Sequence, residues 1–113
     1  MALPSSFFEN DTPKNSSITI LDFLEFKSLI EHKKVQLIDV RTRDEFNSMH
    51  LKNAQNIDFF SDDFNEEFSK LNKDIAIYLY CRCGARSKQC SNKLAAMGFT
   101  EIYDLKGGIL NYK

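Results

Sequence analysis

Short apolar runs alternate along the chain with segments in which apolar residues recur every three or four positions. The runs predict four strands, at 18–21, 35–40, 75–80 and 100–105. Run 75–80 is apolar at every position, which is typical of a central strand covered on both faces. Strands that alternate with helices indicate an α/β sandwich with a mainly parallel sheet.

The segments between the runs have the spacing of amphipathic helices. They predict helices from 23 to about 33, over 43–50, around 60–71 and after residue 84, with a closing helical turn at 109–112. Asp22 stands at the N-cap position of the first helix, and Gly98 follows the fourth helix as its C′ residue. The phenylalanines of segment 59–68 are expected to pack in the core, with an exposed aromatic docking surface as the alternative.

Length and composition indicate one folding unit. Residues 1–17 contain both prolines and show no periodicity, so they predict an irregular N-terminal tail. Residues 18–113 form the single predicted domain. A chain of 113 residues with 42% hydrophobic residues is expected to fold without metal or disulfide cross-links.

The charge balance argues against several classes of partner. The 15 basic and 16 acidic residues give a net charge of −1, so the chain has no overall field to attract nucleic acid or an anionic membrane. No apolar run approaches the ~20 residues of a membrane span, and the N-terminus lacks a basic start followed by an apolar stretch. We therefore expect a cytoplasmic protein.

Three cysteines occur within ten positions: Cys81, Cys83 and Cys90. This odd and clustered set does not have the spacing of a disulfide framework, and with His50 it matches no metal-ligand spacing. Cys90 lies on the apolar side of the fourth helix, which predicts a structural role. Thiol chemistry is expected at Cys81, with a buried structural cysteine as the alternative.

Polar residues occupy the carboxyl ends of two predicted strands, with Asp39 and Arg41 at one end and Cys81 and Arg82 at the other. Ligands of parallel α/β sheets bind beyond the carboxyl ends of the strands. This edge of the sheet is therefore the candidate functional site.

The segment after the third strand has the features that stabilise an anionic sulfur. An ordinary cysteine is mostly protonated at neutral pH, whereas the thiolate is the nucleophile. Arg82 and Arg86 bring two positive charges, residues 75–100 contain no Asp or Glu, and loop amides at a helix N-terminus can point at the sulfur. Gly84 has no Cβ and permits the positive φ or the close backbone approach that such a cradle usually needs. We expect the Cys81 sulfur to be a thiolate that is open to solvent.

Four motifs in order resemble the single-domain rhodanese-like sulfurtransferases, over about residues 18–112. Segment 37–46, LIDVRTRDEF, is similar to the family's L-I-D-V-R-x-x-x-E-[FY], and segment 50–57 is similar to its G-H-I-x-G-A-x-N-I. Segment 80–87, YCRCGARS, resembles the active-site loop Y-C-R-S-G-x-R-S, and segment 98–109 resembles the usual ending.

The resemblance implies a three-layer sandwich with a central five-stranded sheet, in which Cys81 accepts a sulfane sulfur. It makes the loop backbone the cradle for an anionic donor, and the substrate-binding residues are then Arg82, Cys83, Gly84, Ala85 and Arg86. Asp39 and Arg41 would be a supporting polar pair, for which a local ion pair that braces the loop is the alternative. His50 and Glu45 would make structural contacts, and the reaction would need no metal or organic cofactor.

Four positions depart from the family pattern. Met49 and Asn53 stand at usual glycines, Tyr112 stands at the usual final tryptophan, and Cys83 replaces a small polar residue. The first three departures bear on local geometry. Cys83 is either a spectator that lines the loop or a second thiol that resolves an oxidised or sulfur-loaded Cys81.

The implied reaction is a double displacement. Cys81 would take sulfur from thiosulfate or a persulfide donor and pass it to a thiol, to cyanide or to a protein acceptor. The alternatives are a non-enzymatic sulfur carrier or interaction module, and a phosphatase or arsenate reductase that holds a small oxyanion. The loop between Cys81 and Arg86 is one residue shorter than in related folds that hold tetrahedral oxyanions, which argues against the latter.

Overall fold

A computed structural model describes residues 16–112, so nearly all of the predicted tail, 1–17, lies outside the described residues. Within them the strands are β1 Ile18–Leu21, β2 Gln36–Asp39, β3 Gln55–Asn56, β4 Ile77–Tyr80 and β5 Ile102–Leu105. The α-helices are α1 Phe23–Ile30, α2 Arg43–Ser48, α3 Phe64–Ser69 and α4 Ala85–Ala96, and a short 3₁₀ helix, Gly108–Asn111, follows β5. No helix in this part of the chain is long and apolar enough to cross a membrane.

The strands form one sheet in the order β1-β5-β4-β2-β3, and every pair is parallel. This confirms the predicted α/β sandwich and its five-stranded, mainly parallel sheet. β4 lies in the middle, as its unbroken apolar run predicts, and all four of its residues are buried. Asp39 of β2 is in register with Tyr80 of β4, so the residues that follow these two strands meet at one edge.

Side chains alternate between two cores on opposite faces of the sheet. Leu79 of β4 belongs to a core that α3 and α4 complete through Phe68 and Leu94. Tyr80 belongs to the other core, which α1 covers through Phe26. Each large apolar side chain buried in this way stabilises the fold by about 1.5–3 kcal/mol. The two cores hold β4, and with it the start of the following loop, in place.

The structure differs from the predicted pattern at the end of α1 and at β3. Asp22 caps α1 as predicted and accepts a hydrogen bond from the N–H of Glu25 at 2.9 Å. The helix ends at Ile30 rather than near residue 33, because residues 31–34 are polar and exposed and no apolar contact holds a further turn. β3 consists of two polar residues, Gln55 and Asn56, so it carries no apolar pattern from which to predict it.

Helix α3 begins at Phe64 rather than near residue 60. The side chain of Asp58 accepts a hydrogen bond from the N–H of Phe60 at 2.8 Å, and this local turn replaces the first helical turn. Phe64 and Phe68 are buried, which confirms the core-packing prediction for both residues. Phe60 is 67% exposed and does not belong to the core.

Candidate active site

Cys81 follows β4 directly, and backbone N–H groups surround its sulfur. The N–H of Gly84 points at Sγ with a nitrogen–sulfur distance of 3.0 Å, and the N–H of Ser87 does so at 3.3 Å. The Ser87 hydroxyl oxygen lies 3.4 Å from the same sulfur. The structure therefore brings together the loop amides and the sulfur as the sequence predicts. Amide donors at these distances stabilise a sulfur anion more than a neutral thiol.

Gly84 turns the chain from the strand into α4. Its φ is 105°, a left-handed conformation that residues with a Cβ rarely adopt, so of the two predicted alternatives the structure shows the positive φ. Because α4 starts at the next residue, the N–H of Ser87 in its first turn faces the Cys81 sulfur. The positive end of the helix dipole therefore adds to the two hydrogen bonds.

The sulfur is covered in this structure. Cys81 has no exposed surface, so the prediction that its sulfur is open to solvent is wrong here. The hydrogen bonds explain the burial, because they draw Gly84 and Ser87 over the sulfur while the core packs against its other side. Arg82 and Ala85 lie outside this ring and are exposed.

The 3₁₀ helix after β5 fixes the loop from the other side. The N–H of Ile109 donates to the carbonyl of Cys81 at 2.9 Å, and the N–H of Leu110 donates to the carbonyl of Arg82 at 3.2 Å. Gly108 permits this close approach, because a Cβ at that position would lie 2.7 Å from the Cys81 carbonyl oxygen and would collide with the Arg82 carbonyl. A glycine far away in sequence is thus part of the loop's support.

The two arginines of the loop have different surroundings. Arg86 forms a bidentate ion pair with Glu45 of α2, with nitrogen–oxygen distances of 2.7 and 3.0 Å. The hydrogen bond from Arg86 lowers the pKa of Glu45 from 4.5 to about 2. Arg82 is exposed, and its side chain has no hydrogen bond or ion pair with the described residues. Arg82 is therefore available to an anion, whereas Arg86 anchors α4 to α2.

Asp39 and Arg41 form a buried ion pair at the end of β2. The Arg41 Nη2 atom lies 2.6 Å from Asp39 Oδ2, and the Tyr80 hydroxyl donates to the same oxygen at 2.8 Å. Arg41 also donates to the carbonyl of Met49 at 2.5 Å. Burial opposes the charge of Arg41, but the hydrogen bond and charge of Asp39 raise its pKa above the ordinary value. The pair braces the junction of β2, β4 and the segment after α2.

The other two cysteines lie in contrasting places. Cys90 is fully buried in the core beside Leu94, and burial raises its pKa well above the ordinary value. These surroundings are those of a structural cysteine. Cys83 is exposed, and its thiol is free. Within residues 16–112, no group of three or more His, Cys, Asp or Glu side chains is placed to hold a metal ion.

Comparison with known proteins assigns the family. A family model described as "Rhodanese-like domain" matches residues 22–113. The chain belongs to the rhodanese-like domain family. "Uncharacterized protein YqhL" of Bacillus subtilis is 39% identical over 77 residues, which are 68% of this chain and 60% of that protein. "Adenylyltransferase and sulfurtransferase UBA4" of Candida albicans is 36% identical over 92 residues, which are 75% of this chain and 21% of that protein.

The chain thus spans less than two thirds of the length of both relatives. A solved structure has the same rhodanese-like fold over most of its length. The rhodanese-like domain protein from Staphylococcus aureus superposes with a TM-score of 0.73 at 29% identity. The match covers 83% of this chain and 90% of that protein, so the fold assignment rests on the whole sheet rather than on one motif.

The departures from the rhodanese-like pattern are accommodated locally. Asn53, at a usual glycine, has a φ of 69°, and asparagine is one of the few residues that adopt this conformation readily. Met49, at the other glycine, is extended and 56% exposed. Tyr112, at the usual tryptophan, packs edge-on against Phe23 with 5.2 Å between ring centres, and its hydroxyl donates to Glu31 at 2.9 Å.

Sequence reasoning misses three features of this rhodanese-like site. The side-chain hydroxyl of Ser87 contacts the sulfur, Glu45 pairs with Arg86 across 41 positions, and Asp104 of β5 is buried. A sequence signal exists for Asp104, because it stands two positions after the apolar Ile102 and shares its face of the strand. The Glu45 contact has no local signal, since it depends on how α2 and α4 pack.

Proposed function

We propose that this rhodanese-like protein is a sulfurtransferase that carries a sulfane sulfur on Cys81. The observation that supports this most directly is the pair of amide hydrogen bonds to Sγ, from Gly84 and Ser87. Such donors stabilise an anion on Cys81 both as the thiolate and as the loaded persulfide. The sulfurtransferase named among the relatives supports the same class of reaction.

In the loading step, the Cys81 thiolate attacks the outer sulfur of thiosulfate or of a persulfide donor. A sulfur–sulfur bond forms at Cys81 while the donor's own bond breaks, and the electron pair of that bond leaves on sulfite or on a thiolate. Arg82 attracts the anionic donor, because it is the exposed cation of the loop. The remaining cradle residues, from Cys83 to Arg86, position the donor through the loop backbone. The step needs no metal, oxidant or reductant.

In the delivery step, a second nucleophile attacks the outer sulfur of the Cys81 persulfide. Cyanide, a small thiol or a cysteine of a protein acceptor forms the new bond to sulfur, and Cys81 leaves as the thiolate. The two half-reactions share one covalent intermediate, so the kinetics are ping-pong. A cytoplasmic setting belongs to the proposal, because reducing conditions keep all three free cysteines available as thiols.

Access to the sulfur requires a small opening of the loop, since Cys81 has no exposed surface in this structure. The segment that must move contains Arg82 and Ala85, which are exposed. Gly84 lies inside this segment, so its hydrogen bond to the sulfur breaks on opening, whereas Ser87 lies after the segment and can keep its hydrogen bond. Alkylation of Cys81 by iodoacetamide in the folded protein measures this opening.

The experiment that tests the proposal is the intact mass after incubation with thiosulfate. A gain of about 32 Da, one sulfur atom, is expected at Cys81. Cys81→Ser should lose both the gain and the formation of thiocyanate from thiosulfate and cyanide. Cys90→Ala is the matched control, because it removes a thiol that lies in the core and outside the loop, and it should keep both. Retained turnover in Cys81→Ser contradicts the mechanism.

The same measurement separates the alternatives. A stable adduct on Cys81 without turnover of small acceptors indicates a sulfur carrier that serves one protein partner. A Cys81 that forms no adduct and resists iodoacetamide is a structural cysteine, and the proposal is then wrong. Hydrolysis of aryl phosphates would instead support the oxyanion chemistry that the short loop argues against.

A further inference from the structure

A surface cavity of about 300 Å³ lies beside the active-site loop and has no role in the steps described above. The loop contributes Cys83 and Gly84 to its lining, α4 contributes Lys88, and the end of β5 contributes Asp104 together with the following Lys106. This volume is at the lower end of the range for small-molecule sites. The cavity therefore has room for a small ligand next to the loop.

The cavity lining contains a buried carboxyl group with an unpaired oxygen. Asp104 is 4% exposed, and its Oδ1 has no hydrogen-bond partner among the described residues. A buried acceptor that is left unpaired is destabilising, and in a native structure it is a candidate for a ligand contact. Burial raises the pKa of Asp104 from 3.8 to about 7, so the group is ionised above neutral pH. An ammonium group is the donor that satisfies such a carboxylate best.

Two lysines of the cavity lining favour an anionic group on the same ligand. Lys88 and Lys106 are both exposed, and neither side chain has a hydrogen bond or an ion pair with the described residues. Their ammonium groups are therefore available to a carboxylate. A ligand that matches the cavity thus carries a positive group for Asp104 and a negative group for the lysines.

Gly84 stands between the cavity and the reactive sulfur. It lines the cavity, and its N–H lies 3.0 Å from Cys81 Sγ. Cys81 has no exposed surface, so a reactant reaches the sulfur only when the loop opens and the Gly84 hydrogen bond breaks. Displacement of Gly84 then joins the sulfur to the cavity.

We propose that this cavity binds the sulfur acceptor, and that the acceptor is a small thiol with both an ammonium group and a carboxylate, as in free cysteine. The inference rests on the proposed function, because it requires a persulfide on Cys81. The acceptor thiol first loses its proton to water, and its thiolate attacks the outer sulfur of that persulfide. A sulfur–sulfur bond forms on the acceptor, the bond to Cys81 breaks, and its electron pair stays on Cys81. The acceptor leaves as a persulfide, and no oxidant or reductant is needed.

The KM values of three acceptor thiols test the site, from the rate of sulfite release at saturating thiosulfate and about pH 8, where Asp104 is ionised. Free cysteine carries both charged groups, 3-mercaptopropionate lacks the ammonium group, and cysteamine lacks the carboxylate. The double variant Lys88→Gln and Lys106→Gln should raise the KM of cysteine and of 3-mercaptopropionate at least about threefold, but not that of cysteamine. Asp104→Asn should raise the KM of cysteine and of cysteamine at least about threefold, but not that of 3-mercaptopropionate. Lys34→Gln is the matched control, since this exposed lysine precedes β2 at the opposite edge of the sheet, and it should change none of the three.

A second measurement needs no turnover. In Cys81→Ser the exposed thiol is Cys83, which lines the cavity, whereas Cys90 is buried. S-methyl-L-cysteine has both charged groups but no thiol, and it should slow the alkylation of Cys83 by iodoacetamide. An unprotected Cys83, or KM values that are equal in the wild type and in the cavity variants, overturns the proposal. Failure of the proposed function is distinguishable, because no persulfide then forms on Cys81; a protected Cys83 in such a chain shows a cavity that binds the ligand without an acceptor role, which also overturns the proposal.

Discussion

Replacement of Glu45 by glutamine tests how much the ion pair between α2 and α4 contributes to the stability of the fold. The variant keeps the side-chain length and an oxygen that accepts the N–H of Thr42, which donates to Glu45 at 3.0 Å. It removes the negative charge that faces Arg86. The Arg86 and Glu45 side chains are 21% and 28% exposed, so water screens this ion pair only in part.

The size of the effect follows from the pKa of Glu45, which is about 2 in the folded chain against an ordinary value of 4.5. This difference corresponds to at most about 3 kcal/mol, which partial screening reduces to about 1–2 kcal/mol. Because the folded-state pKa is depressed, the stabilisation is present above about pH 4.5 and is lost as the pH falls toward 2. We expect Glu45→Gln to be less stable by that amount at pH 7, and the difference to fall by more than half at about pH 3.

Urea denaturation of both proteins at a series of pH values, followed by circular dichroism, measures this difference. Glu67→Gln is the matched control, because Glu67 pairs with Lys70 at 3.0 Å but the two side chains are 39% and 64% exposed. The control should show no measurable loss at any pH. A Glu45→Gln variant that is as stable as the control, or a difference that stays constant as the pH falls, refutes the reasoning.

Two further predictions concern backbone geometry, and urea denaturation at pH 7 checks both. Gly108→Ala places a Cβ against the carbonyls of the active-site loop and should lose more than about 2 kcal/mol. Gly98→Ala, at a φ of 106° but with only a Lys73 side-chain atom at 3.7 Å, should lose about 1 kcal/mol, and equal losses contradict the collision. Asn53→Gly should keep a free energy of unfolding within about 0.5 kcal/mol of the wild type, because glycine tolerates the positive φ of this position. Asn53→Val should lose more than about 1 kcal/mol, because a β-branched residue does not. Equal stability of the two variants contradicts the role of the positive φ.

The elements with strong apolar patterns are predictable from the sequence, and those that depend on their neighbours are not. The run that becomes β4 predicts both a strand and its central place, because only a strand covered on both faces tolerates four buried residues in succession. β3 pairs with β2 through the polar residues Gln55 and Asn56 at the edge of the sheet. Its pairing is a consequence of the fold rather than of a local preference, so the sequence contains no pattern for it.

The hydrogen bonds to the sulfur are predictable for a related reason. Their donors, Gly84 and Ser87, lie three and six residues after Cys81, so a strand, a glycine and a helix start suffice to place them. The burial of Cys81 depends instead on how closely the loop folds over the sulfur against the core. The Oδ1 atom of Asp104 is buried without a hydrogen-bond partner among the described residues. This depends on how β5 packs against α4, which no sequence motif encodes.

The residues that hold the active-site loop in place lie far from it in the sequence, whereas the hydrogen-bond donors to the Cys81 sulfur are close to Cys81 in the sequence. Glu45 holds the start of α4 from α2, and Ile109 holds the Cys81 carbonyl from the 3₁₀ helix. The loop therefore reaches its final geometry only when both segments have docked on the sheet. Substitution at Glu45 or Gly108 weakens these supporting contacts, although both amide donors remain in the chain. The stability of the fold and the order of the cradle are therefore coupled, since the same contacts determine both.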